Sequence, residues 1–97
     1  MAELITADNV YTTIAPLNGK YFKLEELYSL LSCRMVQILE LPGQPHQTLI
    51  FDEEGKTGMD GPKPINRAAT LHARTCGIAS NDCIVGTALL CLSREFR

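Results

Sequence analysis

The stretch DCIVGTALLCL, Asp82 to Leu92, decides the fold. Read as a strand, it puts Cys83, Val85, Thr87, Leu89 and Cys91 on one face and Ile84, Gly86, Ala88, Leu90 and Leu92 on the other. Both faces are almost wholly apolar. Such a strand belongs in the middle of a sheet, with helices over one side and a second layer or a partner subunit over the other.

Upstream of it, Asn66 is a good N-cap, and the following RAATLHA predicts a short helix from Arg67 to Ala73. The segment CGIASND after that helix reads as a loop. Between Glu54 and Pro64 lie three glycines and two prolines, so regular structure is not expected there. Gln47 to Glu53 and Arg34 to Leu41 read as strands joined through the loop PGQPHQ, a length that suits a hairpin. Leu24, Leu27, Tyr28 and Leu31 recur at helical spacing behind Glu25 and Glu26, which predicts a helix from Glu25 to Ser32. Two turns of helix are not stable alone and must pack on a sheet. At the N-terminal end, VYTTIAP (Val10 to Pro16) reads as a strand, LNG as its turn, and KYFKL (Lys20 to Leu24) as the second arm of a hairpin.

The expected order is β-β-α-β-β-α-β. This is an α+β fold, a small mixed or antiparallel sheet of about five strands with two short helices, in a single domain over 1–97. Two short helices are not expected to cover both faces of the central strand, and homo-oligomerisation is the simplest way to bury the surplus.

Composition narrows the function classes. Apolar residues make up 45% and charged residues 21%, which is globular rather than disordered. A formal net charge of -2 excludes a generally basic nucleic-acid binder, so no nucleic-acid polymer is expected as a partner. No apolar run reaches bilayer-spanning length, and MAELITADN lacks the pattern of a signal peptide, so the expected location is the cytoplasm and the expected partners exclude a membrane.

The tripeptide GKT, Gly55 to Thr57, ends a phosphate-binding loop in other proteins. Here Ile50 stands where that loop needs its earlier glycine, and GMDGP follows where it needs a helix, so a turn leaving a strand is the reading. The cysteines Cys33, Cys76, Cys83 and Cys91 form no CxxC pair and read as reduced structural thiols, with no metal and no cofactor implied. His46, between prolines and glutamines, reads as a solvated loop residue, and His72 as a half-buried helix residue or a ligand contact. Asp52, Glu53 and Glu54 are consecutive and alternate faces on a strand, so they read as a solvated strand end rather than a carboxylate pair. No catalytic set emerges, and an enzyme is not expected.

The positive groups are more suggestive. Lys56, Lys63, Arg67 and Arg74 lie on or beside the long loop and second helix, and Asn66 and Arg67 begin a helix whose free N–H groups favour an anion. The candidate ligand contacts are Asn66, Arg67, Lys56, Lys63 and His72, with Tyr21 or Tyr28 stacking a base. The alternative is a capped helix with a solvated arginine.

Four pieces in order, LELP (Leu39 to Pro42), LIFDEEGK (Leu49 to Lys56), PINRAAT (Pro64 to Thr70) and DCIVGTALL (Asp82 to Leu90), cover about two-thirds of the chain. This pattern resembles a family of short proteins of unknown function found in bacteriophages, plasmids and their bacterial hosts. The N-terminus here is shorter than in that family, and almost no tail follows the last strand. The family brings no established chemistry. Its setting in mobile elements implies an anti-defence role, in the host cytoplasm if phage-encoded. Two functions fit: sequestration of a small anionic ligand such as a cyclic nucleotide immune signal, or a protein-interaction module that inhibits a host defence enzyme.

Overall fold

A computed structural model describes residues 2–43, 46–56, 63–75 and 82–96. Its strands are β1 (Ala2–Ile5), β2 (Tyr11–Ile14), β3 (Val36–Leu41), β4 (Gln47–Asp52) and β5 (Ala88–Leu92); its helices are α1 (Leu24–Leu31) and α2 (Arg67–Arg74). The element order is the one expected from the sequence. All five strands join one antiparallel sheet in the order β2-β1-β5-β4-β3, with β5 in the centre.

Alternation along the strands assigns the helices to opposite faces. Leu49 and Phe51 of β4 and Ala88 and Leu90 of β5 pack with Ala69 and Ala73 of α2. Their neighbours Ile50, Leu89 and Cys91 pack instead with Leu27 and Leu31 of α1. Successive strand residues point to opposite faces, so the fold has three layers with the sheet between the helices. Fully burying each of these leucines contributes roughly 2 kcal/mol.

Both faces of β5 are therefore covered within one chain. Ala88, Leu89, Leu90 and Cys91 are all buried. The surplus apolar face expected on the central strand is not there. The exposed large apolar side chains lie elsewhere, among them Met35, Ile38, Ile65 and Leu71.

The expected N-terminal hairpin is displaced. Val10 to Pro16 supplies a strand, but its partner is β1, not Lys20 to Leu24, with Ala2 opposite Ile14 and Ile5 opposite Tyr11. The connecting turn closes with Asn9 N–H donating to Thr6 C=O at 3.0 Å, and Asn9 takes φ +66°, a conformation asparagine tolerates well. The predicted second arm is tied elsewhere. Phe22 is fully buried in the α1 layer, its N–H donates to Glu95 C=O, and it forms an isolated parallel bridge with Phe96.

The deciding stretch is strand only from Ala88. Before it, residues 84–86 pair with 64–66 through an isolated Ile65/Val85 bridge, with Asn66 N–H on Ile84 C=O and Gly86 N–H on Pro64 C=O, both 2.8 Å. Gly86, at φ +76°, then turns the chain into β5. Gly55 and Lys56 lie in a turn leaving β4. Residues 53–56 form a turn in which Gly55 N–H reaches Asp52 C=O at 3.3 Å. A Cβ on Gly55 would stand 2.6 Å from a methyl of Val85, so this glycine serves close packing. Thr57, Asp60, most of the long loop and Cys76 lie outside the described residues. Among the described residues, no helix is long and apolar enough to cross a membrane.

Candidate functional site

The chain enters α2 through Asn66, whose amide is fully buried. Its Oδ1 accepts from Ala69 N–H at 3.0 Å, the bond an N-cap provides. Its Nδ2 donates to Ile5 C=O at 2.9 Å and to Gly86 C=O at 2.8 Å. Thr70 extends the cluster, donating its hydroxyl to Asn66 C=O at 2.7 Å and accepting from Ile84 N–H at 2.9 Å. Asn66 is thus framework beneath the site, with its side chain engaged inside the protein.

Arg67 follows at the first position of α2 and is exposed. Its side chain has no ion pair or hydrogen bond among the described residues. The Arg67 and Ala68 N–H groups are likewise first-turn donors with no acceptor among those residues. Arg67, Thr70, Leu71 and Arg74 recur at i, i+3, i+4 and i+7, so they share one helix face, with the two arginines about 10 Å apart along the axis. This face borders an open depression of about 440 Å³, completed by Ile65, Asp82 and Cys83. Ile65 and Leu71 are 56% and 64% exposed, so its wall is apolar between two guanidinium groups.

The other positive groups are committed elsewhere. Lys56 pairs with Asp82, and that contact, with the Cys83 N–H, holds the Asp82 carboxyl below its usual range while raising the Lys56 ammonium above its own. Lys63 reaches the opposite side of the sheet. Its Nζ lies 2.8 Å from Asp52 Oδ2 and donates to Leu31 C=O at 3.1 Å and Ser32 C=O at 2.9 Å, closing the C-terminal end of α1. Asp52 also accepts from Glu54 N–H at 2.8 Å. It is buried, and the solvated strand end expected from the sequence does not apply to it.

The candidate contacts are therefore divided. Arg67 lines the depression, Lys56 meets it only through Asp82, and Lys63 is withdrawn to α1. Tyr28 is on α1 and Tyr21 just before it, so neither joins Arg67. His72 is on α2 but turns to Tyr11, with Nε2 3.3 Å from the Tyr11 hydroxyl and the rings edge to face at 6.4 Å. His46 is exposed and accepts from Ser93 N–H through its carbonyl.

Sequence reading missed Ile65, Leu71, Asp82 and Cys83. Leu71 was legible as the residue four after Arg67. The Lys56–Asp82 pair spans 26 positions and leaves no local signal.

Thiol chemistry is subdued. Burial, reinforced by Glu95, pushes Cys91 up to about 12. Burial and then Asp52 raise Cys33, against the opposing pull of Lys63. Among the described residues Cys33, Cys83 and Cys91 are free, and no group of His, Cys, Asp and Glu is placed to hold a metal ion. A scan of protein-family models and searches of curated proteins and of solved structures give no significant match for this chain.

Proposed function

We propose that this chain is a non-catalytic binder of a small anionic ligand, held in the depression on the outer face of α2. The supporting observation is Arg67: a guanidinium without an internal partner among the described residues, beside two first-turn N–H donors and the exposed side chains of Ile65 and Leu71. A guanidinium binds phosphate or carboxylate bidentately. An apolar wall suits the flat face of a base. The ionised Asp82 at the rim suits a hydroxyl or amino donor on the same ligand. Anion, flat apolar body and polar donor together describe a nucleotide.

With the resemblance to small phage and plasmid proteins, this reading extends to sequestration of a nucleotide immune signal in the host cytoplasm. The contact set is narrower than the sequence suggested: Arg67 and Arg74 contribute the charge, and Lys63, Tyr21 and Tyr28 do not take part. Titration calorimetry against cyclic dinucleotides and ADP-ribose derivatives tests the reading. Binding of one of them, weakened at least about tenfold by Arg67→Ala, is the expected result. No heat with any of them removes it.

The same exposed Ile65 and Leu71 favour a second reading, in which a host defence enzyme is bound and inhibited through this face. Leu71→Asp would then abolish capture of the enzyme, while the nucleotide panel stays silent.

A further inference from the structure

The outer edge of β3 leaves backbone groups without hydrogen-bond partners among the described residues. β3 ends the sheet. The orientation of its peptide groups follows from two hydrogen bonds. Met35 C=O accepts from Glu53 N–H at 3.0 Å, so residues 35, 37, 39 and 41 turn their N–H and C=O groups toward β4. On the far side of β4, Ser93 N–H donates to His46 C=O at 3.0 Å, which fixes the complementary phase, with even-numbered β4 residues facing β5. Val36, Ile38 and Glu40 therefore turn their backbone groups outward. No hydrogen bond among the described residues uses those of Val36 or Ile38.

Among the described residues this edge has little of the usual protection, Glu40 being the one charge on the strand. VQILEL has six residues, no proline and no lysine, whereas the opposite edge strand, β2, has only four residues. Met35 is 49% exposed and Ile38 39% exposed on or beside it.

We propose that β3 pairs antiparallel with β3 of a second copy, about a two-fold axis through Gln37, making one continuous sheet across the dimer. Three features select this occupant and register. Val36 falls opposite Ile38 of the partner subunit, so the outward-facing groups of both residues exchange hydrogen bonds on each side of the axis. The facing side chains are both β-branched and apolar, a favourable cross-strand pair. Arg34 falls opposite Glu40 of the partner subunit at both ends, so the edge is complementary to itself in charge. Among the described residues Arg34 is otherwise held only by an exposed 3.6 Å contact to Glu54, a weak restraint. A register centred on Ile38 would set Val36 against Glu40 and lose that match. The pairing does not depend on the ligand reading.

Light scattering and cross-linking test it on the full chain. The wild-type protein is expected at about twice 10.7 kDa, and a monomer at every concentration up to about 100 μM overturns the proposal. At the axis, the two Gln37 Cα atoms form a non-hydrogen-bonded pair about 4.5 Å apart, within disulfide reach. Oxidised Gln37→Cys should therefore give a covalent dimer whose cross-link maps to position 37 by peptide mass. A cross-link with Ile38→Cys and none with Gln37→Cys overturns the register. Ile38→Pro removes an outward N–H and leaves the ladder to β4 intact. It should be monomeric with unchanged circular dichroism, and a surviving dimer overturns the proposal. Should that variant not fold, Arg34→Glu serves: at least about tenfold weaker association, restored by Arg34→Glu with Glu40→Arg, is expected. Unaltered association in Arg34→Glu contradicts it.

Discussion

Asn66 joins three segments through one amide: it caps α2, holds the end of β1 at Ile5, and holds the turn into β5 at Gly86. Asn66→Ala loses the cap and strands two buried carbonyls, and should cost about 3 kcal/mol in denaturant unfolding. Asn66→Asp is the sharper test. It keeps the acceptor for Ala69 but faces two carbonyl oxygens with a carboxylate, so it should be at least as damaging as alanine. A capping role alone predicts near-wild-type stability for aspartate. Cys91 gives a pH signature. Its folded-state thiol titrates near 12 against 9.0 for the ordinary group, so above pH 9 the unfolded chain has lost a proton that the native chain keeps. Stability should fall between pH 9 and 12, by up to about 1.4 kcal/mol per unit from this group. The slope should be shallower in Cys91→Ala, and an equal slope in both proteins would contradict the assignment.

At the scale of elements, α1 ends without glycine. Ser32 takes the left-handed conformation at φ 50°, and Lys63 crosses from the next layer to bond the last carbonyls. Ser32→Gly relieves that backbone strain and should raise stability by about 0.5–1 kcal/mol, read from the unfolding midpoint. Lys63→Met should cost about 2 kcal/mol, because it leaves the buried Asp52 carboxylate short of its partner. Adding Asp52→Asn should recover part of that loss. Both helices, β3, β4 and the centrality of β5 were legible, because each carries its own period of apolar residues. β1 was not. AELI is too short for its alternation to register, and its turn lies in TADN, where a left-handed Asn9 leaves a weaker mark than Asn-Gly would. KYFKL alternates like a strand, yet Phe22 is spent in the core, a tertiary choice that no local pattern records. The site divides in the same way. Arg67 and its helix start were readable, while the withdrawal of Lys63 and the pairing of Lys56 depend on which acids the fold brings near.

At the scale of the molecule, one helix on each face leaves two kinds of unfinished surface among the described residues. The sheet edge at β3 is unfinished in hydrogen bonds, and the outer face of α2 in charge and apolar area. The surfaces adjoin through Asp82 and Cys83 but rest on different residues, Arg67 on α2 and Ile38 on β3, so a ligand on α2 and self-association through β3 should be separable by mutation. Arg67→Ala should leave the mass unchanged, and Ile38→Pro should leave ligand binding unchanged. The most direct measurement is a two-dimensional amide NMR titration of the labelled protein with a nucleotide found to bind. The largest shifts should cluster at Ile65, Arg67, Ala68, Leu71 and Cys83, with Tyr21 and Tyr28 still. Shifts centred on Lys63 and α1, or none on α2, would contradict the assignment of the site to the start of α2.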